Sequence, residues 1–428
     1  MSGICKVNYP LYCCHCLDDE AFVIAGGGGA AKTGVRNSLE VLELRKSKKK
    51  CQAVSIDQLE TGKYAVMSMS AVCPTEPADK KRCLMALSVG NSCDVYSVTK
   101  CEECSNKTVE DKPSLTKRKK GSTSEENSKV ERKQGISNYK FNLLHKVESV
   151  PEKGFQTAVQ LSRDGTLLVT GSSDGHLRAW KVPSLVKIFD SPGHKEDVTD
   201  IDISPDGKEI ASVSRDGKAF IWDASSGHKT LELHASWNMH MTSRSFKFRN
   251  CRFSVVPEQS SRFVIFTSHT PLKRGPGDVT KRSCCITKWA RKRDKEGKES
   301  GSFLPALVQK TGDEAISAIA VSQNGVFVGV GFMEGSVAIY IAFSLQCAHR
   351  VKQVHSIFVT SLCFVNDTEH TRAITGDCDA ALLSVSVDCS CHMTKLESRT
   401  LFSLWLALFL CVAALVGSSI YLHSVGLI

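Results

Sequence analysis

The feature that most constrains the fold is a unit of strand, tight turn, strand, tight turn and strand that recurs along the chain. Clear copies occupy residues 155–180, 198–222 and 316–340. The turns contain a glycine after an acidic residue or an asparagine, as in Asp216-Gly217. Asp-Gly and Asn-Gly supply the positive φ angles that two-residue hairpin turns need. The repeat therefore predicts a series of antiparallel hairpins.

Two of the copies end in tryptophan, and their spacing matches a known repeat length. Trp180 and Trp222 lie 42 residues apart, which suits one blade of a WD-repeat propeller. In WD repeats, a histidine, a turn aspartate, a strand serine or threonine and the tryptophan form a hydrogen-bonded network. The matching residues here are His194, Asp216, Ser212 and Trp222. The pattern predicts that these four hold a blade together and perform no chemistry.

Residues 1–397 are accordingly predicted to form one all-β domain, a WD-repeat β-propeller. Without its loops the body has roughly 330 residues, which at about 45 residues per blade gives about seven blades. The segment 101–139 is rich in Lys, Glu, Ser and Asn and almost lacks large apolar residues. It is predicted to be a disordered insert, since it has too little apolar surface to bury. The 19 cysteines are scattered through strand-like segments and are predicted to be free thiols.

A run near the carboxyl terminus predicts a membrane anchor. Leu401 to Leu422 contains no charged side chain, and a helix of that length covers about 33 Å, enough to cross a bilayer. Residues 398–422 are therefore predicted to be a transmembrane helix, and 423–428 a luminal tail. Lys395 and Arg399 precede the run and no Lys or Arg follows it, which places the body in the cytosol. No amino-terminal signal peptide is visible.

The net charge of +10 is concentrated in three short runs, at 45–50, 117–120 and 291–295. Such runs are typical of solvated loops, and they also suit acidic lipid or nucleic acid. A specific DNA-binding motif is not recognisable in the sequence. Cys13-Cys14-His15-Cys16 suggests zinc, but neighbouring residues of a strand point to opposite faces and chelate one ion poorly.

The most unusual local feature is Ala25 to Asn37, with the sequence AGGGGAAKTGVRN, between two predicted strands. Glycines let the backbone approach a partner closely, and their carbonyls are open to a hard cation. A nucleotide P-loop is disfavoured because Ala31 stands where the motif requires glycine and because a strand, not a helix, follows. Two interpretations remain, a flexible linker without a role and a structured protrusion that contacts a partner.

The segment GGGGAAKTG, preceded by Pro10-Leu11-Tyr12, resembles the first blade of the endoplasmic-reticulum exchange factors for the Sar small GTPase. The stretch Gly335 to Cys347, GSVAIYIAFSLQC, and the stretch Lys181 to Leu185, KVPSL, are similar to the vertebrate form of that family. The order of propeller, late membrane helix and short luminal tail also fits. The long polar insert and the cysteine-rich start depart from the family and affect the details of the first blade.

The resemblance implies that the loop from Gly26 to Asn37 binds potassium and contacts the GTPase. The loop residues matched by position are Gly26, Gly27, Gly28, Gly29, Lys32 and Thr33. The residues expected to act in exchange are Gly34, Val35 and Asn37. Asn37 and the backbone carbonyls of the loop are the expected potassium ligands.

The sequence and the resemblance together predict a guanine-nucleotide exchange factor that makes and breaks no covalent bond. It would activate the Sar GTPase at the endoplasmic-reticulum membrane, and so start COPII coat assembly and transport to the Golgi. The vertebrate form of the family is also named for a prolactin regulatory element, so a second hypothesis is a nuclear, DNA-binding regulator of the prolactin promoter. A third hypothesis is a membrane-anchored WD-repeat scaffold.

Overall fold

The chain forms seven four-stranded antiparallel sheets arranged as the blades of a propeller. A computed structural model describes residues 3–31, 34–47, 50–73, 82–101, 139–148, 150, 154–234, 246–272, 283–293, 299–398, 408–409 and 411–418. The all-β propeller with about seven blades that the sequence predicts is confirmed, with seven blades in the described residues.

The strands follow one another in blade order. The first strand and the first two blades consist of β1 (Cys5–Lys6), then β2 (Leu11–Cys16), β3 (Ala21–Gly26), β4 (Ser38–Ser47), β5 (Lys50–Glu60), then β6 (Val66–Val72), β7 (Arg82–Val89), β8 (Ser92–Lys100) and β9 (Tyr139–Glu148). Blades 3 and 4 consist of β10 (Gln156–Leu161), β11 (Leu167–Ser172), β12 (His176–Lys181), β13 (Val186–Pro192), then β14 (Val198–Ile203), β15 (Glu209–Ser214), β16 (Ala219–Asp223) and β17 (Lys229–Leu233).

The remaining blades include one short helix. Blades 5 and 6 consist of β18 (Phe246–Val256), β19 (Gln259–Pro271), β20 (Cys284–Arg293), β21 (Glu299–Gly312), then β22 (Ile316–Val321), β23 (Phe327–Phe332), β24 (Val337–Ile341) and β25 (Cys347–Val351). Blade 7 consists of β26 (Val359–Phe364), β27 (Cys378–Ser386) and β28 (Ser390–Glu397), with helix α1 (Glu369–Thr375) between its first two strands.

The ring is closed by the two ends of the body. β1 pairs with β28, with Cys5 opposite Cys391, so the start of the chain supplies the fourth strand of blade 7. The Ile4 amide also donates to the Cys391 carbonyl over 3.0 Å. The buried apolar side chains lie between neighbouring blades, where one sheet packs on the next. The closed ring leaves each blade covered on both faces and lies within residues 3–398.

The ring has two faces. The glycine-loop face contains the connections between second and third strands and those that lead to the next blade, since His194 and Asp216 from two such connections bond to each other at 3.2 Å. The exit face contains the connections between first and second and between third and fourth strands, as the bond from the Ala224 amide to the Lys208 carbonyl shows. β28 ends at Glu397 on the exit face.

Two sequence-based expectations are corrected. Tyr139 does not belong to a disordered insert, because it begins β9, is buried, and donates its hydroxyl to Asp18 Oδ2 over 2.9 Å. Residues 102–138 of that segment lie outside the described residues. Not every cysteine is a free thiol, because Cys73 and Cys83, at the ends of neighbouring strands with Cα atoms 4.2 Å apart, form a disulfide. The other described cysteines are free.

The predicted transmembrane segment 398–422 is described only at 398, 408–409 and 411–418, where the last two stretches are helical. Among the described residues there is no helix of sufficient length and apolar character to cross a membrane. The predicted luminal tail 423–428 lies outside the described residues.

Candidate functional site

The glycine loop connects β3 to β4 in blade 1 and lies on the glycine-loop face. The pairing of the two strands ends at Gly26 opposite Ser38. One side of the loop is fixed by the bond from the Gly27 amide to the Pro10 carbonyl, 2.9 Å long. The other side is fixed by the bond from the Thr61 amide to the Asn37 carbonyl, 3.2 Å long. The loop is therefore held at both ends by segments that lead into the inner strands of blades 1 and 2.

Two of the four consecutive glycines are required by close packing of the backbone. A Cβ atom on Gly26 would lie 1.9 Å from the Pro10 carbonyl oxygen. A Cβ atom on Gly27 would lie 2.4 Å from Asn37 Oδ1, and the φ angle of Gly27 is +140°. Any larger residue at either position forces the loop away from its anchors.

Asn37 clamps the loop from inside. Its Nδ2 donates to the Gly29 carbonyl at 3.1 Å and to the Gly62 carbonyl at 3.0 Å, while its Oδ1 accepts from the Gly29 amide at 2.8 Å. The side chain is 7% exposed. Since both amide hydrogens are used and the group is buried, the Asn37 side chain fixes the shape of the loop. The resemblance implies that Asn37 acts in exchange, and a role in fixing the loop shape is one way in which it could do so.

The part of the loop that a partner can reach lies between the clamped positions. Ala30, Ala31, Gly34 and Arg36 are exposed, and Gly28 is half-buried. Gly34 has a φ angle of +77° with open space around its Cβ position. Val35 is half-buried against the apolar cluster between blades 1 and 7 and so supports the loop from below. Lys32 and Thr33 lie outside the described residues.

The local structure does not match a nucleotide P-loop. A P-loop leads into a helix whose first amides face the phosphates. Here the loop leads into β4, which pairs with β3 and β5 on either side. The structure thus brings Gly26, Gly27, Gly29 and Asn37 together as one clamped turn, as a structured protrusion requires.

The oxygen atoms at the loop are neutral, which decides what cation they suit. Asn37 Oδ1 and the glycine carbonyls supply no formal charge, and the side chains of the Arg36–Glu60 ion pair, 3.2 Å apart, are both exposed. Such a donor set fits a weakly hydrated monovalent cation such as potassium better than a divalent one. In the described part of the chain, no group of three or more His, Cys, Asp or Glu side chains is placed to hold a metal ion.

Cys13 and Cys14 of the cysteine-rich start point in opposite directions, as expected for neighbours in a strand. Cys13 faces the core between blades 1 and 2, with its sulfur 3.8 Å from the Val66 carbonyl oxygen. Cys14 faces blade 7, with its sulfur 3.7 Å from Ser361 Oγ. The two thiols therefore point into different blade interfaces.

The four residues predicted to hold a blade together do meet in blade 4. His194 contacts Asp216 Oδ2 through Nδ1 at 3.2 Å and Ser212 Oγ through Nε2 at 2.8 Å. Trp222 Nε1 donates to the same Ser212 Oγ over 2.8 Å. Although burial raises the pKa of the Asp216 carboxyl, hydrogen bonds from His194 and from the Lys218 and Lys195 amides outweigh it and lower the pKa to about 2. The group locks a turn on the glycine-loop face of the ring.

A second network of this kind, which sequence reasoning missed, occurs in blade 7. His355 Nε2 lies 2.9 Å from Ser384 Oγ, and His355 Nδ1 lies 3.3 Å from Asp388. The turn after β27 uses Cys389 at a φ angle of +66° where glycine is usual, so its dipeptide signal is weak. The signal that was available is the four-residue step from Ser384 to Asp388, which repeats the step from Ser212 to Asp216.

The fold and its networks define a WD-repeat propeller that presents a clamped, glycine-rich loop at its rim. Residues 147–181 and 184–223 match the WD domain, G-beta repeat family. The crystal structure of Sqt1 from Chaetomium thermophilum has the same fold, with a TM-score of 0.56, 14% identity, and coverage of 94% of this chain and 86% of that one.

Full-length relatives define the family more narrowly. The guanine nucleotide-exchange factor SEC12 of Rattus norvegicus is 32% identical over 427 residues, which cover 98% of this chain and 96% of the relative. The SEC12 of Mus musculus is 32% identical over 433 residues with the same coverage. SEC12-like protein 2 of Arabidopsis thaliana is 26% identical over 59% of this chain. The chain belongs to the SEC12 guanine nucleotide-exchange factor family, which confirms the resemblance noted from the sequence.

Proposed function

We propose that this member of the SEC12 family accelerates guanine nucleotide exchange on a Sar-type small GTPase, and that the glycine loop is the segment that engages the GTPase. The observation that supports the proposal is the clamp of Asn37 on Gly29, which gives an exposed loop of small residues one fixed shape. A loop that is already ordered loses little conformational entropy when it binds a partner.

Exchange requires binding energy and no bond-making chemistry. A factor that binds the nucleotide-free GTPase better than the GDP-bound form lowers the barrier to GDP loss. The exposed residues Ala30, Ala31, Gly34 and Arg36 would contact the switch segments that hold phosphate and Mg²⁺. Asn37 is a positioning residue in this scheme, because both hydrogens of its side-chain amide are donated to the Gly29 and Gly62 carbonyls.

Potassium is the cofactor that we propose for the loop. Asn37 Oδ1 accepts one hydrogen bond and has a second lone pair, and the Gly29 and Gly62 carbonyl oxygens each have a lone pair besides the one that accepts from Asn37 Nδ2. A bound potassium ion would supply a positive charge that draws these carbonyls together. The protein itself supplies the two backbone bonds that anchor the loop, Gly27 to Pro10 and Thr61 to Asn37, and the exposed backbone between them.

The setting that we propose is the endoplasmic-reticulum membrane, with the propeller in the cytosol. The support is the uncharged run from Leu401 to Leu422 together with Lys395 and Arg399 before it. An exchange factor anchored there would activate the GTPase at the membrane on which the COPII coat assembles. Transport from this membrane to the Golgi would then depend on the anchor as well as on the loop.

The test is an exchange assay with the purified propeller, a GDP-loaded Sar-type GTPase, excess GTP and potassium. Fast GDP release that depends on Asn37 is the expected result. Release at the rate of the GTPase alone would reject the proposal. Sequence-selective binding of DNA without any exchange would instead favour a transcriptional regulator. If neither exchange nor DNA binding is observed, the scaffold hypothesis is favoured.

A further inference from the structure

The exit face holds the end of the body next to blade 1. Lys395 Nζ, two residues before the end of β28, donates to the Thr375 carbonyl of α1. Lys46 Nζ at the end of β4 donates to the Ala373 carbonyl of the same helix over 3.1 Å. The helix thereby connects the end of β4 in blade 1 with the point where the chain leaves blade 7.

The hairpin formed by β4 and β5 extends beyond the rest of its blade on this face. β3 begins at Ala21, opposite Glu43, but the pairing of β4 with β5 continues through Arg45 opposite Gln52 and Lys46 opposite Cys51. Arg45 and Lys46 are exposed. They begin the sequence RKSKKK at 45–50, so the extended end of this hairpin is strongly basic.

A second extended hairpin lies on the same face in blade 5. β20 is paired with β19 only as far as Trp289, while its pairing with β21 continues to Arg293 opposite Glu299. Lys292 in this extension is exposed. Two separate blades therefore direct cationic strand ends away from the ring on the side where the chain exits.

An exposed aromatic ring lies on this face between the basic elements. Phe343, in the connection from β24 to β25, is 81% exposed, more than any other large apolar side chain in the described part of the chain. Lys288 Nζ is 5.4 Å from the centre of its ring and donates to its carbonyl over 3.3 Å. Exposed aromatic and basic side chains on one face are typical of a surface that rests on lipid headgroups.

Three acidic residues of the exit face are paired with basic or histidine side chains. Glu20 is bonded to Lys100 at 3.1 Å and to His370 at 2.7 Å, and Asp367 is bonded to Arg372 at 2.7 Å. Glu43 is paired with Arg45 at 2.7 Å, and both are partly exposed.

We propose that the exit face is a membrane-contact surface, on which Arg45, Lys46 and Lys292 bind the phosphates of anionic phospholipids and Phe343 enters the headgroup layer. The inference rests on the proposed membrane anchor, because the anchor places this face against the bilayer. From Glu397 to Leu401, the first residue of the uncharged run, four extended residues span at most about 14 Å. Charges on the exit face then lie near the bilayer surface, where an anionic leaflet attracts them over about one Debye length.

The arrangement also fixes the orientation of the exchange site. The glycine loop is on the opposite face, so the docked GTPase would lie on the cytosolic side of the ring and not between the ring and the bilayer. Contact of the exit face with lipid would stop the ring from tilting on its short tether.

The experiment is flotation of residues 1–398 with vesicles, since the ring closes within these residues. The vesicles contain phosphatidylcholine alone or phosphatidylcholine with phosphatidylserine. The wild-type body is expected to float with the anionic vesicles and not with the neutral ones. The variants R45E/K46E and F343S are each expected to reduce the bound fraction several-fold, with only a small change in thermal unfolding midpoint because the lost bonds of Arg45 and Lys46 are at the surface.

The controls change equivalent residues on the glycine-loop face. K195E/R215E carries the same charge change as R45E/K46E, and M333S removes an exposed apolar residue from the same blade as Phe343. Both controls are expected to float like the wild type. Equal losses in variants and controls, or no flotation of the wild type with anionic vesicles, would overturn the proposal.

Two further readouts separate this proposal from its alternatives. If R45E/K46E abolishes binding of a DNA duplex but leaves flotation unchanged, the basic hairpins bind nucleic acid and the lipid proposal is wrong. Exchange on a GTPase in solution is expected to be unchanged in F343S. The flotation experiment contains no GTPase, and the exchange assay contains no lipid. A negative result for membrane contact therefore does not affect the exchange proposal, and a negative result for exchange does not affect the flotation result.

Discussion

Asn37 and Gly29 exchange two hydrogen bonds across the glycine loop, one from Asn37 Nδ2 to the Gly29 carbonyl and one from the Gly29 amide to Asn37 Oδ1. The lengths are 3.1 Å and 2.8 Å. The Asn37 side chain thus bonds to both the amide and the carbonyl of Gly29, as a neighbouring strand would in a sheet. The shape of the loop therefore depends on a single buried amide.

Replacing Asn37 with alanine is expected to abolish exchange while the ring stays folded. The substitution removes three hydrogen bonds, each worth about 1 kcal/mol, from the loop and none from the blades. GDP release should slow at least roughly tenfold, the effect of about 1.4 kcal/mol. The matched control is Asn142→Ala on exposed β9, which should exchange normally. Equal rates in both variants would remove the clamp from the mechanism.

Replacing the closely packed Gly26 with alanine should destabilise the protein more than the same change at Gly34, which has open space around its Cβ position. Gly26→Ala places a methyl group against the Pro10 carbonyl, which is backbone and cannot move aside without separating the anchors of the loop. Gly34→Ala has free space and costs only the strain of a positive φ, about 1–2 kcal/mol confined to the loop. Thermal unfolding should show a clear loss for Gly26→Ala and a small one for Gly34→Ala. The reverse order would contradict the packing described here.

Ser212→Ala should destabilise the propeller by about 2–4 kcal/mol. The change leaves His194 Nε2 and Trp222 Nε1, both buried, without their common partner, and each unsatisfied group costs about 1–3 kcal/mol. Denaturant unfolding measures the loss. Ser184→Ala, an exposed serine between β12 and β13, is the control and should lie within about 0.5 kcal/mol of the wild type.

The contribution of Asp216 should depend on pH in acid. Its pKa of about 2 in the folded ring lies below the unfolded value near 3.8, so the stabilisation is present above the unfolded value and is lost as the pH falls through the folded one. The difference in unfolding free energy between wild type and Asp216→Asn should therefore be constant above about pH 5 and shrink by about 2 kcal/mol toward pH 2. A difference that does not change with acid would show that the carboxylate charge is unimportant.

Removing potassium should loosen the glycine loop as well as slow exchange. Trypsin cleaves after Arg36, which is exposed in the loop, so the rate of cleavage there reports loop order without any GTPase present. Cleavage should be faster in choline chloride than in potassium chloride at equal ionic strength. If cleavage and exchange are both the same in the two salts, the loop has no cation requirement.

Much of the fold could be predicted from the sequence because its signals are local. Asp-Gly turns fix hairpins within a few residues, and the spacing of Trp180 and Trp222 fixes the size of a blade. The His194 network could be predicted for the same reason, since its members occupy fixed positions in one repeat. Blade 7 was less clear because α1 lengthens the first connection and Cys389 replaces the turn glycine.

The glycine loop shows where sequence reasoning reached its limit. The run of glycines and the strands on either side could be recognised from the sequence, and so could the resemblance that the relatives confirm. The burial of Asn37 could not, because it depends on Gly62 and Pro10, which other strands bring to the same rim.

The sequence by itself determined the repeat, the class of fold and the family, because each depends on short patterns or on residues in a fixed order. Only the tertiary structure decided that the glycine loop and the end of the body lie on opposite faces of the ring. That separation follows from the direction of two strands, because β4 starts at the glycine loop and β28 ends on the exit face at Glu397. The two strands belong to blades 1 and 7, which are far apart in the sequence and become neighbours when β1 closes the ring.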